Sequence, residues 1–155
     1  MDEAFMRIAI RKSKEGVLKG QSPFGAAVVK NGRLLAAAHN TVKKGNDPTA
    51  HAEINALRKA AKKLKAYDLK GCTLYSSCEP CPMCFAACHW ANVDRIVFGA
   101  RIKDAERLGF RELCISNESM KRQGSCRLKI KGDFLRGEAL EAFRLFERKG
   151  KKVLY

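Results

Sequence analysis

Apolar residues recur along this chain at two periods, and the switches between them mark its elements. From Glu3 to about Leu18, Phe5, Ile8 and Ala9 form one stripe opposite a basic face, which predicts an amphipathic helix. Gly20 to Gly25 then breaks the pattern. The runs Ala26 to Lys30 and Arg33 to Ala38 flank Asn31-Gly32, a pair that tolerates positive φ and predicts a tight turn between antiparallel strands. Asp47-Pro48-Thr49 opens a second helix, whose stripe is Ile54, Leu57, Ala61 and Leu64. Cys72 to Ser76 reads as a third strand, Cys81 to Ala91 as a buried helix and Arg95 to Gly99 as a fourth strand. Helices alternating with strands imply crossovers and a partly parallel sheet covered on both faces.

Beyond Gly99 the periodicity weakens. Lys103 to Leu108 reads as a short helix and Leu128 to Ile130 as a fifth strand. Glu138 to Arg148 follows as a helix with Ala139, Ala142, Phe143 and Phe146 on one face. No repeat, linker or low-complexity stretch interrupts the chain. The expectation is one domain over residues 1–155, an α/β fold built as a three-layer α/β/α sandwich around a mixed five-stranded sheet.

Composition narrows the setting. A chain of 155 residues can bury a core without disulfide support. Seven cysteines are an odd number, and no N-terminal apolar run resembles a signal peptide or membrane span, so a reduced, cytoplasmic location is expected. Cys72, Cys78, Cys88, Cys114 and Cys126 then read as packing or incidental thiols. The formal charge of +15 attracts polyanions, and residues 121–155 carry eleven Lys or Arg against four Asp or Glu. Nucleic acid is thus a possible partner but not the favoured one, because a solvated basic face accounts for the same residues.

Chemistry concentrates between residues 51 and 84. His51-Ala52-Glu53 and Cys81-Pro82-Met83-Cys84 offer one imidazole and two thiolates, three ligands for zinc. Three protein ligands leave a coordination position for water, whose pKa the metal lowers from about 16 to about 7. Glu53, beside the histidine, is free to move protons. His-x-Glu followed by Pro-Cys-x-x-Cys matches a zinc deaminase signature in which the glutamate is acid and base, not ligand. The rival is a closed four-ligand site, with Cys78, Cys88 and His89 as the nearest further donors. Such a site predicts a non-enzymatic, zinc-stabilised module that binds nucleic acid.

The run Asn46 to Ile54, taken with Ser77-Cys78-Glu79-Pro80-Cys81-Pro82-Met83-Cys84, resembles the cytidine deaminase-like superfamily over roughly residues 1 to 115. The resemblance implies a hydrolytic deaminase with one zinc per chain, held by His51, Cys81 and Cys84, and Glu53 as the catalytic residue. Cys78-Glu79-Pro80-Cys81-Pro82-Met83-Cys84 is similar to guanine and guanosine deaminases, as are Trp90 and Gly109-Phe110-Arg111-Glu112. The tRNA adenosine deaminases usually carry Leu-Glu-Pro-Cys-x-Met-Cys. Guanine going to xanthine and ammonia is the implied reaction, and adenosine editing in tRNA the alternative. Phe24, Asn40, Trp90 and Glu112 become candidate substrate contacts, and the Ala52 amide a candidate for placing the substrate. Tyr155 matches an aromatic that closes over a partner's site in a homodimer.

Overall fold

The computed structural model describes residues 1–150 and 154–155; residues 151–153, part of the basic segment counted above, lie outside that description. Helix α1 (Asp2–Leu18) leads into the hairpin β1 (Gly25–Lys30) and β2 (Arg33–His39). At its turn Asn31 and Gly32 both take positive φ, 49° and 71°, as the Asn-Gly pair predicts. A short helix α2 (Val42–Gly45) precedes α3 (Ala52–Leu64). There follow β3 (Cys72–Cys78), α4 (Pro82–Trp90), β4 (Arg95–Ala100), α5 (Ile102–Leu108), α6 (Asn117–Gln123), β5 (Lys129–Lys131) and α7 (Arg136–Arg148).

The sheet runs β2-β1-β3-β4-β5. The β1 strand pairs antiparallel with β2 and β3, whereas β3–β4 and β4–β5 are parallel. Side-chain alternation sorts each strand between two cores, because successive residues face opposite sides of a pleated strand. Ala26, Val28, Leu74, Ile96 and Phe98 pack beneath α3 and α4, against Ala56, Leu57, Phe85 and Cys88. Ala27, Val29, Tyr75 and Val97 face the other way, against Met6, Ala9 and Ile10 of α1 and Phe143 and Phe146 of α7. The expected three-layer sandwich and mixed five-stranded sheet are therefore present. Among the described residues no helix is long and apolar enough to cross a membrane.

Two helices escaped the sequence reading. The four-residue α2 has no buried side chain, so no apolar stripe marks it. In α6 only Asn117 is buried, and the helix is defined by its cap, Ser116 Oγ accepting from the Ser119 amide at 3.1 Å. The fifth strand lies one residue later than expected, at Lys129–Lys131, because pairing with Arg95 to Val97 sets its register while the buried Leu128 stands just outside.

One glycine fixes how closely α1 lies on the sheet. A Cβ on Gly25 would stand 2.2 Å from the Ala9 carbonyl oxygen and 2.3 Å from the Ser13 amide nitrogen, both backbone atoms that cannot rotate away. Gly25→Ala is expected to lower stability by about 3 kcal/mol, the upper end for overpacking. Chemical denaturation reads this out; an unchanged midpoint would mean that α1 and β1 are further apart than described.

Candidate active site

The two chemical motifs meet because both stand at helix starts over the same sheet face. His51 is the N-cap of α3 and Cys81 the N-cap of α4, each with extended backbone (ψ 157° and 167°). Glu53 and Cys84 then lie in the first turns. Pro82 occupies the first helical position of α4, where its missing amide proton has no intrahelical use. His51 Nδ1 lies 3.6 Å from both Cys81 Sγ and Cys84 Sγ, and one ligand atom from each of the three residues falls within 4.8 Å of the others.

The local electrostatics suit a cation. Hydrogen bonding from Cys84 draws the Cys81 thiol down to about 4 against the effect of burial, with His51 adding to the pull. Burial opposes charge on His51, yet Cys81, Glu53 and Glu112 outweigh it and hold the imidazole above its usual value. Two sulfurs and an imidazole nitrogen this close form a donor set that zinc accepts in tetrahedral sites. Among the described residues the group numbers three. Cys78 instead donates to the Arg101 carbonyl at 3.5 Å, Cys88 is fully buried in the core, and His89 pairs with Cys126 at 3.3 Å. The closed four-ligand alternative finds no support.

Beside the group opens a pocket of about 210 Å³ at the carboxyl end of β3, the usual location of a ligand crevice in a sheet with parallel strands. His51, Glu53, Cys81, Glu112 and Tyr155 line it, with Phe24 and Phe110 as aromatic wall. Glu53 is only 6 % exposed, and Ser76 Oγ donates to its Oε1 at 3.3 Å. Burial pushes its pKa up. Burial likewise raises Glu112, to about 7, with the negative Cys81 and Glu53 nearby adding to the shift.

The remaining predicted contacts separate into three cases. Phe24 joins the wall, its ring 5.0 Å from Phe110 and 5.8 Å from Phe143. Asn40 is fully buried behind the pocket, its Oδ1 accepting from the Val42 amide at 3.1 Å and its Nδ2 donating to the Tyr155 hydroxyl. Tyr155, expected over a partner's site, sits in the pocket of its own chain, 5.6 Å from the Phe110 ring and 6.0 Å from that of His51. Ala52 is buried in the first turn of α3 and outside the pocket lining. Trp90 does not face the pocket: it is 82 % exposed at the far end of α4. Nine residues of helix carry it about 13 Å beyond Cys81, so sequence proximity to the motif does not place it near the ligands.

Sequence reasoning passed over Phe110 and Glu79. The first stands two residues before Glu112 in the stretch Gly109 to Glu112, where an aromatic beside an acid is the legible signal. Glu79 is buried, and its carboxylate accepts from two backbone amides, Ile102 at 3.2 Å and Asn117 at 2.9 Å, tying the starts of α5 and α6 to the cysteine turn. A glutamate inside a Cys-Glu-Pro-Cys run was the available signal.

Known proteins match this arrangement. The sequence profile described as "Cytidine and deoxycytidylate deaminase zinc-binding region" matches residues 1–100. Guanine deaminase of Bacillus subtilis (strain 168) is 47% identical over 117 residues, 75% of each chain. A tRNA-specific adenosine deaminase of Buchnera aphidicola subsp. Baizongia pistaciae is 34% identical over 152 residues, 98% of this chain and 91% of that one. Among solved structures, guanine deaminase from Nitrosomonas europaea superposes with a TM-score of 0.88 at 33% identity, covering 96% of this chain and 85% of the other. With a profile matching well over half its length and His51, Cys81 and Cys84 gathered at one pocket, the chain belongs to the cytidine and deoxycytidylate deaminase family, a zinc-binding family of deaminases.

Proposed function

We propose that this chain deaminates a free purine base, guanine and water giving xanthine and ammonia, with one zinc ion held by His51, Cys81 and Cys84. The observation that carries the substrate choice is Glu112, a second carboxyl in a small pocket that already contains Glu53. Free guanine has ring N–H donors for such a group to accept from. An adenosine within RNA has none, because its ring nitrogens are acceptors or bonded to ribose. The pocket volume, below the roughly 300–1,000 Å³ of drug-sized clefts, suits a lone heterocycle. Identity to a guanine deaminase supports the same reading.

A zinc ion held by His51, Cys81 and Cys84 would supply a polarised water, acidic enough to ionise near neutral pH. Glu53 takes a proton from the attacking water and returns it to the ring nitrogen beside the attacked carbon. The second proton departs with the amine as ammonia. Burial raises the Glu53 pKa, which favours holding the proton between the two transfers, and the Ser76 hydroxyl fixes the carboxylate that receives it. Phe24 and Phe110, inclined at 64° to one another, provide apolar walls for the ring.

An ammonia-release screen over guanine, guanosine, adenine, cytosine, cytidine and a tRNA anticodon stem tests the proposal. Turnover of guanine is expected; turnover of the stem alone would overturn the substrate assignment. Adenosine editing in tRNA is the second reading, favoured by the charge of +15 and by the adenosine deaminase relative that spans nearly the whole chain. It predicts turnover that falls steeply with salt, which guanine turnover would not do. Glu112→Ala separates the two again. Read above the raised Glu112 pKa of about 7, where the carboxyl is ionised, loss of a hydrogen bond to a charged group, about 1.5–3 kcal/mol, lowers kcat/KM for guanine by about 10- to 150-fold with zinc content unchanged. Unchanged kinetics would remove Glu112 from recognition. The expected homodimer draws support from the exposed apolar Met83, Trp90 and Leu113, and sedimentation of the purified chain tests it.

A further inference from the structure

The turn carrying Cys81 has an unusual backbone problem. Pro80 and Pro82 flank the cysteine, and proline offers no amide donor, so hydrogen bonds to carbonyl oxygens must do much of the work of fixing the turn. Upstream, the Glu79 amide donates to the Ala100 carbonyl at 2.7 Å; downstream, the Phe85 amide donates to the Cys81 carbonyl at 2.9 Å. Between these anchors lies the peptide plane joining Pro80 to Cys81. The proline ring fixes φ at Pro80 but leaves ψ free, and that rotation swings Cys81 as a whole.

We propose that Asn117 is a positioning residue for the metal centre, locking this plane through the Pro80 carbonyl. Asn117 Nδ2 donates to the fully buried Pro80 oxygen at 2.6 Å, and the Asn117 amide donates to Glu79 Oε1 at 2.9 Å. Asn117 has no access to solvent and does not itself line the pocket, which it meets only through Glu79 and the turn it holds. It acts from the first residue of α6, 37 positions away in sequence. Its effect reaches the ion only through where it holds Cys81. The inference rests on His51, Cys81 and Cys84 being the zinc ligands.

The test titrates zinc-loaded protein with a competing chelator and follows zinc release. Groups that orient metal ligands typically account for 10- to 100-fold in metal affinity. Asn117→Ala and Asn117→Asp are each expected to weaken zinc binding by about that factor; the aspartate keeps the shape and loses the donor. Ser116→Ala serves as the control, since it removes the α6 cap without touching Pro80. It is expected to bind zinc as the wild type does. Wild-type affinity in either Asn117 variant overturns the inference, as does an equal weakening in Ser116→Ala, which would make the effect one of helix stability. A wild-type chain that takes up no zinc overturns the ligand set itself, and this inference with it.

Discussion

Glu53→Gln is expected to lower kcat for the deaminated purine by about 10²- to 10⁴-fold, the range over which positioned acid–base groups act. The amide keeps the shape of the side chain and can still accept from Ser76, but it cannot carry a proton between water, ring and amine. Zinc content should be unchanged, because the carboxylate stands outside the three-donor group. Stability should not fall. Burial already disfavours the Glu53 carboxylate, raising its pKa, so a neutral replacement relieves that cost rather than adding one. The informative result is therefore a chain that melts no lower than the parent, holds one zinc and releases almost no ammonia. Activity within threefold of the parent would take Glu53 out of the mechanism.

The second large effect comes from the ligands. Cys84 is fully buried, and its sulfur lies 3.6 Å from His51 Nδ1. Cys84→Ala removes one of three donors and the hydrogen bond that does most to lower the Cys81 thiol. Zinc and activity should be lost together. An ion that binds the folded chain and not the unfolded one stabilises it by about 4 kcal/mol when free zinc is 1,000 times the dissociation constant. A strong chelator should therefore lower the melting temperature of the parent markedly and leave that of Cys84→Ala unmoved. A parent indifferent to chelation would mean that the three residues do not hold the ion.

Both predictions concern residues that could be read from the sequence, because the chemistry there is local. His51 and Glu53 share one helix start, and Cys81 and Cys84 share another, so spacing alone was enough to single out the residues proposed to act together. Asn31-Gly32 announced its hairpin for a similar reason: two consecutive positive φ angles strongly restrict residue choice. The strands β1, β3 and β4 were legible as short apolar runs because both faces of the sheet are covered, so residues facing either core are apolar. What stayed hidden depends on contacts between distant segments. Asn117 is a single polar residue in a polar stretch, and nothing near it in the sequence hints at Pro80. Trp90 misled because an aromatic on the right helix says nothing about how far along the axis it stands. Asn40 reads from the sequence as a substrate contact, yet it lies outside the pocket lining and its amide serves the Tyr155 hydroxyl and the Val42 backbone, which only the fold reveals.

The route of the chain through its sheet also governs when the ion can be captured. His51 hangs from the connection between β2 and β3, and Cys81 from the next one, between β3 and β4, with 30 positions between them. The three donors lie together only in the assembled sheet, where β3 stands between β1 and β4. Before the sheet forms, the chain offers an ion only a local Cys-x-x-Cys pair and a histidine 30 positions ahead of it, and the full donor set arrives with tertiary assembly. Loading then reports on completed folding instead of nucleating it, so a cell short of zinc would accumulate a folded, inert apoprotein rather than a tangled one.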